Sequence, residues 1–585
     1  MKKVFSKNSI VYVLFLLSII LGYAHIINGE FVYDDKNFIV TNYPIKTWLF
    51  SRPWDFFLKP EVAVWTGIYR PIRTLSFAID YQLYGLNPIG YHLHNLFLHF
   101  INAILLFSLL IRLFKTHRIP FFATLLFIIH PLQTETVTWV SSRADLFFTT
   151  GVLGCLLLYM QFAQSDTLRL KTIFMWNAFY FLALLSKETA IALIPTLLLY
   201  DIFFSWKKYH VPMRTICKKR WVFYFVSSIV TLSYMFVRFS LFEKVSQKPY
   251  WGGTASANFL TMLDATVYYF KLIVFPINLC IDYSTFPITR QLFGNPYMIL
   301  NFLFYAALLL LLFFRIQKKD YTTLFFTGFF ILFLLPTWNI IPISAILAER
   351  FLYVPLIGLF AVISSGIVIL MSSKSLFQRP ILSLVCMLSA FLIAFTAIRN
   401  GDWKTDFTLW NSCAVLYPGN FKAHVNLGSD YHEKGESLKA ITENYKLITI
   451  KPQYPTAYYN LGNIYWSLGL FEQSEKAFFD AIKLKPDYVE AYNNLGTLYI
   501  DKQWNDKARA AFLKGLEYDS SHGNLHFNLG SLYFSGYKDY TRAYYHLHEA
   551  LKSPEFMRSR RLHQMLANIK EQKNIEDRMK NQSAP

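Results

Sequence analysis

Four short stretches near the C-terminus share one pattern and decide the fold of that part of the chain. They read NLGSDY at Asn426–Tyr431, NLGNIY at Asn460–Tyr465, NLGTLY at Asn494–Tyr499 and NLGSLY at Asn528–Tyr533. Each begins 34 residues after the one before it, and prolines keep the same spacing at Pro418, Pro452 and Pro486. A fixed period of this length predicts a stack of similar helical units.

Small residues occupy two fixed positions in these units. Gly428 is followed by Ala440, and Gly496 by Ala508, and such small side chains let two antiparallel helices approach closely. With the recurring proline, this is the tetratricopeptide pattern. It predicts an α-solenoid over residues 401–555, with four repeats, a short insertion in the fourth near FSGYKDY and a partial first repeat at TDFTLWNSCAVLYPGN.

A solenoid of this kind offers a concave surface for peptides or protein partners, and a packing platform without a partner is the alternative. Residues 556–585 are expected to form a capping helix and a disordered tail.

Residues 1–400 have the composition of a membrane protein. The whole chain is 54% hydrophobic and has a mean hydropathy of +0.30, above that of ordinary soluble proteins. Eleven apolar segments are predicted to span a bilayer, at about 9–27, 92–112, 119–131, 145–163, 172–186, 189–206, 221–239, 296–314, 321–338, 351–371 and 380–398. The first has no clear cleavage site after it, so we expect an uncleaved helix. The predicted fold class is therefore all-α, a polytopic helical bundle followed by the solenoid.

The formal charge of +20 lies almost entirely in the membrane half. Residues 1–400 hold 34 Lys and Arg against 16 Asp and Glu, whereas residues 401–585 hold 23 against 21. Six short loops that total 55 residues contain 19 of those 34 cations. This bias predicts a cytoplasmic N-terminus and places the repeats on the outer side. It also explains the basic excess without nucleic acid, which we do not expect as a partner.

The five cysteines form neither a CxxC motif nor an even framework, so we predict no zinc site and no disulfide scaffold. Cys280 and Cys413 fall on the same predicted side of the membrane, so a bridge between them is possible, although it is not predicted.

An acidic pair, Asp34 and Asp35, lies in the first outer loop, residues 28–91, within GEFVYDDKNFIVTN. Adjacent carboxylates repel each other, which can raise the pKa of one of them toward a range useful for catalysis. Such a carboxylate can take a proton from an acceptor hydroxyl. A divalent metal bound by the pair, or a loop without chemistry, stays open as an alternative.

Other charged residues fall on the same predicted side. Arg70 and Arg73 are three positions apart, so they would share a helix face and offer forked donors to a phosphate. The remaining candidates for substrate binding are Glu135, Arg143, Asp145, Lys187, Glu188, Glu349 and Arg350. Together they predict a mixed-charge site at the outer membrane surface for a lipid-borne substrate with an anionic head.

A polar stripe marks the second apolar segment. His92, Asn95, His99 and Asn102 recur at helical spacing, so they should face protein or water rather than lipid. Hydrogen bonds between helices are a better explanation of these side chains than catalysis.

Several motifs occur in a fixed order: FVYDDKNFIVTN, YRPIRTLSFAIDY, HLHNLFLHF, HPLQTETVTWVSSRAD, LLSKE and AERFLYVP, followed by the repeats. In this order they resemble the transmembrane and tetratricopeptide-repeat O-mannosyltransferases, which belong to the polyprenol-phosphate-sugar-dependent glycosyltransferases of GT-C type. The resemblance implies an inverting transfer of mannose or a related hexose from a polyprenyl phosphate to Ser or Thr hydroxyls of exported proteins.

The resemblance also implies roles for single residues. The acidic motif of the family falls on Asp34 and Asp35; we favour Asp35 as the base, and Asp34 stays open. Arg70, from the YRP motif, would contact the donor phosphate, with Arg143, Lys187 and Arg350 as further candidates. No cofactor is expected beyond the polyprenyl-phosphate-linked sugar, which is a substrate, and no metal is predicted.

The MKK start, the Lys-rich loops and the short repeat array look bacterial. We therefore expect an integral protein of the bacterial cytoplasmic membrane, with the site and the repeats on the periplasmic or outer side. Its expected partners are the lipid-linked donor, an acceptor polypeptide and membrane lipids. Two other functions stay open: a transferase or ligase that acts on an envelope glycan or lipid, and a non-catalytic repeat scaffold.

Overall fold

The structure is a computed structural model that describes residues 2–59, 69–165, 170–241, 249–290, 296–343, 345–373, 375–553, 556–557 and 559–582. Within these ranges the chain is helical and contains no strand, as the all-α prediction requires. It divides into two compact units, Met1–Pro418 and Gly419–Pro585.

The first unit begins with a long apolar helix, continues through an outer loop with short helices, and then forms the remainder of the bundle. Its helices are α1 (Lys2–Tyr23), α2 (Tyr43–Ser51), α3 (Asp55–Leu58), α4 (Pro71–Tyr84), α5 (Pro88–Phe114), α6 (Arg118–Ile129), α7 (Thr134–Thr138), α8 (Arg143–Ser165), α9 (Leu170–Ser186), α10 (Leu193–Tyr200), α11 (Met213–Leu241), α12 (Ala255–Val274), α13 (Pro296–Gln317), α14 (Tyr321–Leu334), α15 (Pro355–Ser373), α16 (Ser375–Asp402) and α17 (Asp406–Leu416).

Eight helical segments in the described residues are long and apolar enough to cross a membrane. They are Asn8–Asn28, Pro88–Phe114, Val140–Gln164, Glu188–Lys208, Met213–Ser240, Ile299–Gln317, Pro355–Ser372 and Gln378–Asp402. Three shorter apolar helices, Arg118–Ile129, Leu170–Ser186 and Tyr321–Thr337, fall on the remaining predicted segments. The chain is thus an integral membrane protein by composition, while the number of crossings stays a prediction.

Burial separates central helices from peripheral ones. Two-thirds of the apolar window in Val140–Gln164 is buried inside the protein, whereas none of the window in Ile299–Gln317 is. Because a helix that is apolar and unburied must be covered by lipid in its working environment, α13 is peripheral and α8 is central.

The polar stripe of α5 faces the interior of the bundle, as predicted. All four side chains are buried. His99 Nδ1 lies 2.7 Å from the hydroxyl of Tyr353, and Asn102 donates to the carbonyl of Leu146 at 3.1 Å. The stripe therefore joins α5 to neighbouring segments through hydrogen bonds.

A disulfide that the sequence analysis did not predict joins Cys280 to Cys413, with their Cα atoms 5.3 Å apart. It ties the loop after α12 to the last helix of the first unit. The sequence left this bridge possible without predicting it, because spacing along the chain carries no information about two cysteines 133 residues apart.

The second unit consists of antiparallel helix pairs. They are α18 (Phe421–Glu433) with α19 (Ser437–Ile450), α20 (Pro455–Ser467) with α21 (Phe471–Leu484), α22 (Val489–Asp501) with α23 (Asn505–Tyr518), and α24 (Gly523–Leu532) with α25 (Tyr540–Ala550), followed by α26 (Arg560–Gln582). A turn of π-helix, Tyr533–Tyr537, extends α24 at the predicted insertion.

The recurring glycine makes these pairs tight. A Cβ built on Gly496 would lie 2.3 Å from Cε1 of Phe512, whose side chain is fully buried. The equivalent atom on Gly462 would lie 2.6 Å from the ring of Phe478. Only a residue without a side chain fits where the two helices of a repeat cross.

We expect Gly496→Ala to destabilise the repeat unit by about 1–3 kcal/mol, because the buried ring of Phe512 has no room to move away. Thermal unfolding of the full chain in detergent, followed by limited proteolysis of the repeats, measures the effect. Gly419→Ala is the matched control, since a Cβ at Gly419 meets no atom within 4 Å. Equal melting of both variants and the wild type would contradict this packing.

Candidate active site

The acidic pair lies on a tight turn between a short 3₁₀ helix, Ala24–Asn28, and a turn of π-helix, Lys36–Val40. Phe31 and Phe38 on either side of the turn are buried in a small apolar core of that loop. Asp35 N–H donates to the carbonyl of Val32 at 3.1 Å, and Phe38 N–H donates to the carbonyl of Asp34 at 2.9 Å. The turn therefore gives the two neighbouring carboxylates different surroundings.

Asp35 is fully buried. Its carboxylate accepts hydrogen bonds from the backbone N–H of Ser141 at 2.8 Å, from the Ser141 hydroxyl, and from the N–H of Val32 at 3.3 Å. Burial raises its pKa to about 7, although these hydrogen bonds favour the charged form. Asp35 thus joins the outer loop to the segment that precedes α8.

Asp34 is half-buried and keeps an exposed part. Its negative charge acts on Arg73. The side chain of Arg73 is buried, and its guanidinium carbon lies 3.8 Å from the centre of the Phe38 ring. Burial and the nearby Arg70 lower the pKa of Arg73 to about 9, and Asp34 and Asp35 act in the opposite direction. A cation therefore lies close to the acidic pair.

A small cleft contains three of the predicted residues, Asp145, Lys187 and Arg350. Lys187 forms an ion pair with Asp145, and Arg350 forms one with Glu135, which also accepts the backbone N–H of Arg350 at 2.9 Å. Burial lowers the pKa of Lys187, although Asp145 acts to raise it. Arg350 lies 5.3 Å from the ring of Trp139, and that ring lies 5.5 Å from the ring of Tyr33, so the cleft is near the acidic turn.

Glu188 lies between two arginines. Arg70 Nη2 is 4.0 Å from its Oε1, and Arg238 Nη1 is 3.7 Å from its Oε2. Both distances are too long for hydrogen bonds, so these pairs are loose. Sequence reasoning missed Arg238, although it is the only charged residue of the predicted span 221–239 and this was the available signal.

Arg143 does not line the cleft. Its guanidinium is buried and donates to Asn95 Oδ1 at 2.7 Å, to Asp80 Oδ2 at 2.5 Å and to the carbonyl of Tyr91 at 2.9 Å. These contacts direct it into the protein between α4 and α5. The structure therefore favours a packing role over phosphate contact, and it adds Asp80, which the sequence analysis did not single out.

Glu349 also points inward. It is buried, accepts from the Tyr283 hydroxyl at 2.9 Å and pairs with Arg399 at 3.3 Å. Burial raises its pKa, and Arg399 opposes that shift. The two neighbouring residues therefore point to different places. Glu349 joins segments in the protein interior, and Arg350 lines the cleft.

No group of three or more His, Cys, Asp or Glu side chains in the described ranges is arranged to hold a metal ion.

Comparison with known proteins adds to this geometry. Three models of the tetratricopeptide repeat match residues 418–469, 455–488 and 489–522. The protein O-mannosyl-transferase F38B6.6 of Caenorhabditis elegans is 28% identical over 75% of this chain, and the protein O-mannosyl-transferase TMTC3 of Homo sapiens is 27% identical over 68% of it. The chain is a relative of the protein O-mannosyl-transferases.

The matched segments make up 63% and 47% of these two O-mannosyl-transferases, so the chain spans about half to two thirds of their length. The resemblance drawn from the motifs is confirmed by these relatives, and the repeat prediction by the matching models. Among solved structures, the tetratricopeptide-repeat protein TTC0263 of Thermus thermophilus is 21% identical, covering 30% of this chain and 94% of its own with a TM-score of 0.25.

The buried Asp35 predicts a pH-dependent effect on stability. The unfolded side chain loses its proton near pH 3.8, whereas the folded one holds it until about pH 7. Raising the pH through that window therefore destabilises the fold. We expect the melting temperature of Asp35→Asn, relative to wild type, to rise between pH 4 and pH 7 and then to stay level.

Differential scanning fluorimetry in detergent measures this difference. Asp55→Asn in the same loop, where the carboxylate pairs with Lys59 one helical turn away, is the control for an added amide. A difference in melting temperature that does not change with pH would show that burial does not raise the pKa of Asp35.

Proposed function

We propose that this chain is a membrane glycosyltransferase that moves a hexose, mannose in the first instance, from a polyprenyl-phosphate donor to Ser or Thr hydroxyls of polypeptides. The observation that carries the proposal is the half-buried Asp34 in a turn that packs near two cations. Arg73 lies 3.8 Å from the ring of Phe38, and Arg350 lies 5.3 Å from the ring of Trp139, which in turn lies 5.5 Å from the ring of Tyr33. The O-mannosyl-transferase relatives support the reaction class.

In this reaction Asp34 takes the proton of the acceptor hydroxyl as the oxygen attacks the anomeric carbon of the sugar. The bond between that carbon and the phosphate oxygen breaks, and the phosphate leaves with the electron pair. A single displacement inverts the anomeric centre and needs one base, so a second catalytic carboxylate is not required.

Asp34 fits the role of base better than Asp35, the residue favoured from sequence. Both oxygens of Asp35 already accept hydrogen bonds from Ser141 or Val32, and the side chain is fully buried. A bulky sugar acceptor cannot reach it without breaking those contacts. Asp35 therefore serves to hold the turn, whereas Asp34 is only partly buried.

Arg70 and Arg238 are the best candidates to bind the leaving phosphate. Each lies too far from Glu188 for a hydrogen bond, so guanidinium donors remain available. A doubly charged phosphate attracts forked donors strongly, and it would compete with the loosely held Glu188 for them. Lys187 and Arg350, each in a close ion pair, would line the adjoining cleft.

We place the site and the repeats on the outer side of a bacterial cytoplasmic membrane. The Lys and Arg bias of the loops supports this orientation. The bridge between Cys280 and Cys413 supports it independently, because disulfides persist in oxidising compartments and are rare in the cytosol. The acceptor polypeptide would then be an exported chain, with the repeats as its docking unit.

We expect Asp34→Asn to fold and bind donor but to lose at least about 1,000-fold in transfer rate, because no base remains to accept the hydroxyl proton. Asp35→Asn should lose about tenfold, because an amide still accepts from Ser141. The assay uses purified full-length protein, a polyprenyl-phosphate mannose and a Ser/Thr peptide, with peptide mass as the readout.

Asp55→Asn again serves as the matched control and should transfer at the wild-type rate. Full activity of Asp34→Asn would refute its role as base. Hexose found on a glycan or lipid acceptor, and never on peptide, would refute the proposed acceptor class.

A second prediction concerns orientation. Alkaline phosphatase fused after Pro585 should be active in cells, because it folds only on the oxidising side of the membrane. A fusion in the basic loop after Lys208 should be inactive and is the paired control. The reverse pattern would overturn the proposed topology.

A further inference from the structure

A carboxylate far away in sequence holds the turn that carries the acidic pair. Asp406 Oδ1 accepts the backbone N–H of Tyr33 at 2.6 Å, and its Oδ2 lies 2.6 Å from Nζ of Lys36. Tyr33 and Lys36 are the residues immediately before and after Asp34–Asp35. One side chain therefore grips the turn on both sides of the two acids.

Tyr33 needs such a contact because its backbone is unusual. Its φ of 55° lies in the left-handed region, which residues other than glycine, asparagine and aspartate rarely adopt. Such a conformation persists only where the surroundings enforce it, and it is common at functional sites. The side chain is enforced too, since its ring centroid lies 5.5 Å from that of Trp139 and 5.4 Å from that of Trp410.

The helix that supplies Asp406 is itself firmly placed. α17 begins at Asp406, after a capping box in which Thr405 and Thr408 exchange side-chain and backbone hydrogen bonds. Trp410, one turn further on and so on the same face as Asp406, is buried. The disulfide at Cys413 anchors the other end of the helix.

A direct backbone bond completes this attachment. The N–H of Glu30 donates to the carbonyl of Lys404 at 2.9 Å, just before α17 begins. Three contacts therefore hold the acidic turn against α17 and the segment just before it. They are made by Glu30, Tyr33 and Lys36. These contacts all lie within the first unit.

We infer that Asp406 is a positioning residue for the acidic pair. It keeps Tyr33 in its left-handed conformation, so that Asp34 keeps its place in the turn while Asp35 stays bonded to Ser141. The inference concerns a residue that touches neither donor nor acceptor. Its effect on transfer rests on the proposed function, whereas its effect on the turn does not.

A plainer role must be distinguished from this one. An acidic residue in the first turn of a helix also stabilises that helix through the helix dipole. If that were its whole contribution, loss of Asp406 would lower the melting temperature without altering the turn around Tyr33 or the chemical step.

Three variants of the full-length protein in detergent separate these roles. Asp406→Ser keeps a side chain suited to a helix N-terminus but is too short to reach Tyr33. Asp406→Asn keeps an acceptor oxygen for the Tyr33 N–H and loses only the charge. Lys36→Met removes the ion pair with Asp406 and leaves the contact at Tyr33 in place, and since half of the Lys36 side chain is exposed, it should matter little.

Two measurements apply to each variant: hydrogen exchange of peptides within residues 29–42, read by mass spectrometry, and steady-state transfer kinetics. For Asp406→Ser we expect exchange around Tyr33 to rise about tenfold or more, and kcat to fall about 30- to 100-fold while KM for the donor stays within about twofold. Asp406→Asn and Lys36→Met should stay within about threefold of wild type in both measurements.

Unchanged exchange in Asp406→Ser would overturn the inference, and so would raised exchange with an unchanged kcat. An equal loss in Asp406→Asn and Asp406→Ser, with exchange across α17 raised as well, would assign Asp406 to the helix alone and also overturn it. If the wild type itself transfers no sugar, the proposed function fails, and the exchange result still decides whether Asp406 holds the turn.

Discussion

A buried carboxylate fastens the outer loop of this protein to its membrane bundle. Asp35 gives up water entirely and receives the N–H and hydroxyl of Ser141 in exchange. Because a carboxylate that has lost its hydration is stable only where hydrogen bonds replace it, the turn has one arrangement in which Asp35 is satisfied. That arrangement leaves Asp34 half-exposed, close to Arg73 and the cleft. The division of labour between two adjacent, chemically identical side chains follows from this one constraint.

The charges around the cleft are balanced before any substrate arrives, but unequally. Lys187 and Arg350 are held closely by Asp145 and Glu135, whereas Arg70 and Arg238 stand 3.7 to 4.0 Å from Glu188. A close ion pair loses the most interaction energy when its members exchange partners, and a loose ion pair loses the least. An incoming anion should therefore engage the loose arginines, and the close pairs should preserve the shape of the cleft around it. A site built in this way would offer loosely held guanidinium groups to an anion, while its charges stay balanced when no anion is bound.

Local patterns in the sequence were enough for the fold class and for three of the residues that line the cleft. The 34-residue period predicted the helix pairs, and the polar stripe of α5 predicted buried hydrogen bonds, because both depend on positions close in sequence. The sequence analysis predicted only that these charged residues lie on one side of the membrane. The structure brings Asp145, Lys187 and Arg350 into one cleft. The orientation of single side chains could not be predicted. Arg143 and Glu349 point into the protein because they form ion pairs there with Asp80 and Arg399, which are distant in sequence. Asp406 was not predicted for the same reason, because its partner Tyr33 lies 373 residues away in the sequence.

The bridge between Cys280 and Cys413 has a consequence for how the protein is made. Four apolar helices, α13 to α16, lie between the two cysteines, and an even number of crossings returns the chain to the side from which it started. If any one of the four failed to insert, the thiols would be left on opposite faces of the bilayer and could not meet. If all four helices cross the membrane as proposed, the oxidised bond can form only in chains whose last four helices have entered it.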